Sequence, residues 1–156
     1  RGTAFKWDML GQEMYVGELA SRFPVREINE LTPRFSNVKI RDILVENAET
    51  FVKIYGIPES PLKDVTMENI QVNNTRDFFR ASDARNISFR NLKVKSDDSL
   101  MILQNIQNLS FENAEFNVRG NDIYAEVKGD SVKNILFKNT SPEHPVNWDS
   151  NMYKKN

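Results

Sequence analysis

A nine-residue pattern recurs along this chain and leaves few folds open to it. Asn37-Val38-Lys39-Ile40-Arg41-Asp42-Ile43-Leu44-Val45 returns as Asp64-Val65-Thr66-Met67-Glu68-Asn69-Ile70-Gln71-Val72 and as Asn86-Ile87-Ser88-Phe89-Arg90-Asn91-Leu92-Lys93-Val94. A fourth copy is Asn108-Leu109-Ser110-Phe111-Glu112-Asn113-Ala114-Glu115-Phe116, and a fifth begins at Asn134-Ile135-Leu136-Phe137-Lys138-Asn139 before decaying into Thr140-Ser141-Pro142. The copies start 27, 22, 22 and 26 residues apart. That period suits one turn of a solenoid, in which each repeat buries its apolar face only by stacking on its neighbours.

Each copy carries apolar residues at its second and fourth places, Asn or Asp at the sixth, and in most copies apolar residues again at the seventh and ninth. Two short strands of period 2 joined by a bend have this signature. Asn and Asp suit the bend because their short polar side chains tolerate the left-handed conformation and bond nearby backbone. Stacked in register, Asp42, Asn69, Asn91, Asn113 and Asn139 are expected to bond one another in a ladder. A third strand fits between copies, at 51–54, around 78–80, at 100–103 and at 124–127. The fold expected is all-β, a parallel β-helix of about five coils of 22–27 residues. A leucine-rich repeat shares the period, but its rungs are dominated by leucine and its asparagine falls at another offset.

Residues 10–33 interrupt the rhythm with Gly11, Gly17, Pro24 and Pro33, and Gln12 to Phe23 has some helical character. This reads as a long inserted loop, functional or poorly ordered. Residues 37–141 hold the coils. Residues 142–156, with Pro145, Trp148 and Tyr153, read as a cap over the last one. All belong to a single β-helix domain, 1–156. The chain opens on Arg1-Gly2-Thr3-Ala4-Phe5, with no initiator Met, basic stretch or apolar leader, and is read as part of a longer protein.

Composition closes off several functions. Lys and Arg number 21 against 22 Asp and Glu, so no global field draws nucleic acid or an anionic membrane. No apolar run approaches the roughly 20 residues that span a bilayer, so no membrane partner is expected. Without cysteine there are no disulfides, thiolate metal sites or thiol nucleophiles. His144, the one histidine, stands between prolines in Glu143-His144-Pro145 and reads as a surface residue. No metal or other cofactor is expected. The adjacent Asp97-Asp98 reads as a solvated turn. Asn-x-Ser/Thr sequons occur at Asn73, Asn86, Asn108 and Asn139, and the last three coincide with the repeat's own asparagines, which explains them without attached sugar.

Three stretches carry a resemblance. Thr32-Pro33-Arg34-Phe35-Ser36-Asn37-Val38, Gly56-Ile57-Pro58-Glu59-Ser60-Pro61 and Ser82-Asp83-Ala84-Arg85-Asn86-Ile87 together resemble the carboxy-terminal coils of family 28 glycoside hydrolases, the polygalacturonase family. The resemblance covers residues 1 to about 95 and beyond that thins to the repeat alone. It implies a right-handed sense for the parallel β-helix and a parent enzyme that hydrolyses pectic polysaccharide with inversion, which needs two carboxyl roles roughly 6.5–9.5 Å apart. The family supplies its catalytic groups from Asn-Thr-Asp, Asp-Asp, Gly-His-Gly and Arg-x-Lys motifs. Three of these motifs are missing from this sequence, and its one Asp-Asp pair, Asp97-Asp98, follows the stretches of resemblance instead of preceding them, with no Gly-His-Gly downstream, so no catalytic residue is expected in this chain.

What the resemblance leaves here is substrate contact. It puts the sugar groove along the strand at 51–54, with Thr3 to Met9 as the same strand one coil earlier. Trp7 offers a face to a sugar ring, while Lys53 and Arg80 offer charge-assisted bonds to galacturonate carboxylates. Tyr15, in the inserted loop, is placed to wall the groove. Each has a plainer alternative: Trp7 as core or loop packing, Lys53 and Arg80 as solvated strand residues. The partner implied is pectic polysaccharide or oligogalacturonate, in a secreted or periplasmic setting. A non-catalytic module for carbohydrate binding or protein association is the alternative. Self-association through an exposed first coil or the 10–33 loop is also open.

Overall fold

The computed structural model describes residues 2–148, and Tyr153 with the remainder of the expected cap lies outside them. The chain winds as a parallel β-solenoid of about four turns. Its strands are β1 (Thr3–Asp8), β2 (Ser36–Val45), β3 (Ala48–Tyr55), β4 (Leu62–Ser96), β5 (Leu100–Val118), β6 (Tyr124–Lys128) and β7 (Lys133–Ser141). β4 and β5 are long because they run round corners. Every registered pairing between strands is parallel.

The repeat sets the register. Val38 pairs with Val65, Ile43 with Ile70, Phe89 with Phe111 and Phe111 with Phe137, so equivalent places of successive copies stack directly. The expected third strand is present as well: Phe5 pairs with Val52, Val52 with Phe79, Phe79 with Met101 and Met101 with Ala125. The chain therefore shows five rows on the repeat side and five on this third side.

Corners follow from backbone chemistry. The thirteen non-glycine residues with positive φ are all Asn or Asp, and ten of them occupy the first and sixth places of the five copies. At the sixth place each amide donates to the row before it: Asn69 to Asp42 at 2.8 Å, Asn91 to Asn69 at 3.0 Å, Asn113 to Asn91 at 3.3 Å and Asn139 to Asn113 at 2.6 Å. The first place builds a second ladder. Asn86 donates to Asp64, Asn108 to Asn86 and Asn134 to Asn108, at 2.8, 2.8 and 2.9 Å. Both ladders share one polarity and end on an aspartate. A carboxylate accepts but cannot donate, so Asp42 and Asp64 terminate them. The Nδ2 atoms of sequon residues Asn86, Asn108 and Asn139 are thus engaged, and that of Asn73 bonds Glu46 at 2.8 Å.

Inside, the fourth place carries a ring stack. Phe89 and Phe111 lie 5.0 Å apart and Phe111 and Phe137 5.2 Å, near parallel, and Trp148 closes the column edge-on at 5.8 Å from Phe137. Fully burying each such ring contributes about 1.5–3 kcal/mol. The first row is less covered. Val38, Ile40, Ile43 and Val45 are only partly buried, whereas Val65, Met67, Ile70 and Val72 one row later are almost fully enclosed.

Residues 10–33 contain less helix than the sequence suggests. Only Glu13–Val16 (α1) is α-helical, followed by a 3-10 turn over Gly17–Ala20. Glycines on both sides, at 11 and 17, adopt positive φ and end the helix early. The segment is nonetheless tied to the coils by Arg22, which reaches the carboxylate of Asp83 with both Nε and Nη2.

Candidate functional site

On the third side of the solenoid, alternation turns every second side chain outward. The outward column reads Lys6, Lys53, Arg80, Ile102 and Glu126, one residue per row in direct register. Its first three members are cations. Adjacent rows are about 4.8 Å apart, a distance at which like charges placed opposite each other destabilise a sheet by up to roughly 1 kcal/mol. Such a column is costly unless something compensates it.

Compensation within the chain is partial. Lys6 meets Asp8 at 3.1 Å. The Nζ of Lys53 stands 5.1 Å above the ring of Tyr55, two residues along the same strand, and has no acidic partner within 4 Å among the described residues. A cation over a ring gains about 0.5–1 kcal/mol at an exposed site without losing its charge. Arg80 likewise has no ion pair among the described residues. Asp77 feels its charge, but that carboxyl is hydrogen-bonded by Arg76, which is the main cause of its pKa lying below the ordinary aspartate value; Arg80 adds a smaller pull. Lys53 and Arg80 thus present two neighbouring, uncompensated cations beside an aromatic ring.

Trp7 stands elsewhere. It pairs with Ile54, in the column that continues through Ala81, Leu103 and Val127, and it packs against the core. Phe5, Lys6 and Trp7 alternate in, out, in, so the indole that alternation turns inward is not the platform beside Lys53. Tyr15 is 76% exposed on α1, and among the described residues no hydrogen bond or ring contact joins it to the column. The structure therefore brings Lys53 and Arg80 together and leaves Trp7 and Tyr15 apart from them. Lys6 and Tyr55 join the site although no motif marks them. The register alone identifies them, Lys6 lying one coil before Lys53 and Tyr55 two residues after it.

The corner after this strand is tightly specified. Gly56 donates its N–H to the Ser82 carbonyl at 2.9 Å, and a Cβ at Gly56 would sit 2.0 Å from the Asp83 carbonyl oxygen. Directly above, the fully buried Asp83 carboxylate accepts from Arg22 and from the Asn105 amide at 2.6 Å. The inserted segment is in this way held against the end of the cationic strands. Among the described residues no group of three or more His, Asp or Glu side chains is arranged to hold a metal ion, and no helix is long and apolar enough to cross a membrane.

No protein-family model, curated protein or solved structure matches the chain. The structure defines its class as a parallel β-helix with a cationic outer column on one side.

Proposed function

We propose that this chain is the substrate-holding β-helical part of a pectin-degrading glycoside hydrolase of the polygalacturonase type, with the inverting carboxyl pair supplied from outside these 156 residues. The observation that carries the reading is the register of Lys53 and Arg80, with Lys6 one row before them. A polyuronate strand laid across the rows brings one carboxylate per sugar, and charge-assisted bonds to these cations relieve their mutual repulsion. Only one carboxylate, Glu126, stands in the same column. The chain by itself therefore binds and orients polymer, and its setting is secreted or periplasmic, where such polymer is met.

The same column serves a non-catalytic carbohydrate-binding module equally well, and a pair of assays tests the uronate binding that both readings require and the placement of catalysis outside this chain. Affinity electrophoresis through a gel containing polygalacturonate is expected to retard the chain, and a gel containing uncharged galactan to retard it less. A reducing-sugar assay on polygalacturonate is expected to show no turnover by this chain. Equal mobility in the two gels defeats the binding claim, and turnover by the chain alone defeats the placement of catalysis outside it.

A further inference from the structure

The 10–33 segment, the end of β1 and the turn at 56–61 line a half-open cavity of about 460 Å³. That volume falls within the roughly 300–1,000 Å³ of small-molecule sites. One part of its wall is apolar, formed by Met9, Leu10, Ile57 and the half-exposed ring of Phe35. The rest is polar and includes Arg26, Asn29, Thr32 and Glu59.

Glu59 is the informative residue. Its side chain is only 5% exposed, Arg26 Nη1 lies 3.7 Å from Oε1, too far for a hydrogen bond, and Oε2 has no hydrogen-bond partner. A buried acceptor left unsatisfied has given up its water without a replacement and destabilises the fold. Donors stand nearby. Asn29 uses its Oδ1 to accept from the Leu31 N–H and Thr32 uses its Oγ1 to accept from the Asn29 N–H, which leaves the Asn29 amide protons and the Thr32 hydroxyl proton to give.

The charges around Glu59 are of both signs. Arg26 faces it, Glu27 and the Lys6-paired Asp8 lie further round the wall, and Arg34, Lys63 and Arg85 line an adjoining recess that Glu59 also borders. An organic cation or anion therefore meets like charges there as well as opposite ones. A ligand that both donates and accepts without charge, and that has an apolar face for the Phe35 ring, matches the whole wall.

We propose that this cavity binds a neutral sugar unit, with Glu59 accepting from its hydroxyls, Arg26, Asn29 and Thr32 donating to it, and Phe35 covering its C–H face. This site is separate in residues and in chemistry from the Lys53–Arg80 column and does not rest on the uronate reading.

The test is ligand-observed NMR on the intact chain with D-galactose, D-glucose, D-mannose and L-rhamnose, using cyclohexanol as a one-hydroxyl apolar control. Saturable binding of at least one sugar is expected, at least tenfold tighter than cyclohexanol. Glu59→Gln, which keeps the volume but not the double acceptor, is expected to weaken it by about fivefold or more, the loss of roughly one hydrogen bond. Phe35→Ala, at a half-exposed position that folding tolerates, is expected to weaken it similarly, and Phe23→Ala, on the same segment but outside this wall, to leave it unchanged. Absence of saturable binding by all four sugars, cyclohexanol binding as tightly as the best sugar, or full affinity in Phe35→Ala would each overturn the proposal. Lys53→Ala with Arg80→Ala leaves this binding intact, so failure here is distinguishable from failure of the uronate site.

Discussion

Removing Arg22 tests how the inserted segment is held. Arg22 is 17% exposed at its side chain and Asp83 not at all, and the pair spans 61 residues of chain. Arg22→Ala strands a carboxylate in the interior, a change that costs about 3–5 kcal/mol in comparable buried pairs. The lower end applies, because Asn105 still donates to Asp83 at 2.6 Å. About 3 kcal/mol lowers the melting temperature of a chain this size by roughly 6–12 °C. Asp83→Asn keeps the left-handed backbone at φ 52 that Asn tolerates and removes the charge. The double variant Arg22→Ala/Asp83→Asn is therefore expected to be more stable than Arg22→Ala alone. Urea unfolding gives the cycle, and limited proteolysis within residues 10–33 reports release of the segment. If Asp83→Asn adds its own loss to that of Arg22→Ala, the buried unpaired charge is not the cause, and the reasoning fails.

Three further outcomes follow from the corners and the surface. Asn113→Ala is expected to cost about 2 kcal/mol in urea unfolding, combining left-handed strain with the lost ladder bonds, while Asn113→Gly, free of the strain, costs less; equal losses would show that the ladder and not the backbone dominates. Gly56→Ala places a methyl against the Asp83 carbonyl and is expected to lower the melting temperature by several degrees, because the obstacle is backbone that cannot swing aside. Asp77 has its pKa lowered in the fold, first by Arg76, so its contribution is present above the ordinary aspartate pKa of about 3.9 and is lost as pH falls through the lowered folded value. Arg76→Ala is then expected to be slightly less stable than wild type at neutral pH, the effect being screened by solvent, and the difference to vanish in acid; a difference that grows in acid contradicts that sign.

Much of the fold was legible in the repeat because solenoid stacking makes each place in the sequence a place in space. The second and fourth places gave the core, and the sixth gave a ladder whose members follow from the bend chemistry of Asn and Asp. The ladder at the first place needed the register, since nothing local distinguishes an asparagine that opens a repeat from one that links it to the next. The core-packing alternative for Trp7 was legible too: with Phe5 and Trp7 flanking Lys6, alternation alone turns the indole inward. The pairing of Arg22 with Asp83 was not legible, for one partner lies in an aperiodic loop and the other at a corner within β4, 61 residues further on. Glu59 was visible only as part of a resemblance, and its burial and its bare Oε2 arise from the segment folding back over the turn.

The site is the least local feature. Lys53 and Arg80 are 27 residues apart and each is unremarkable alone; being opposite one another is what gives them meaning. Calorimetric titration of an oligogalacturonate at low salt into wild type and into Lys53→Ala/Arg80→Ala tests that meaning directly. The account predicts binding by the wild type that weakens as salt rises, and at least a tenfold loss in the double variant, equivalent to about 1.4 kcal/mol or more. Equal affinity in the two proteins would contradict it.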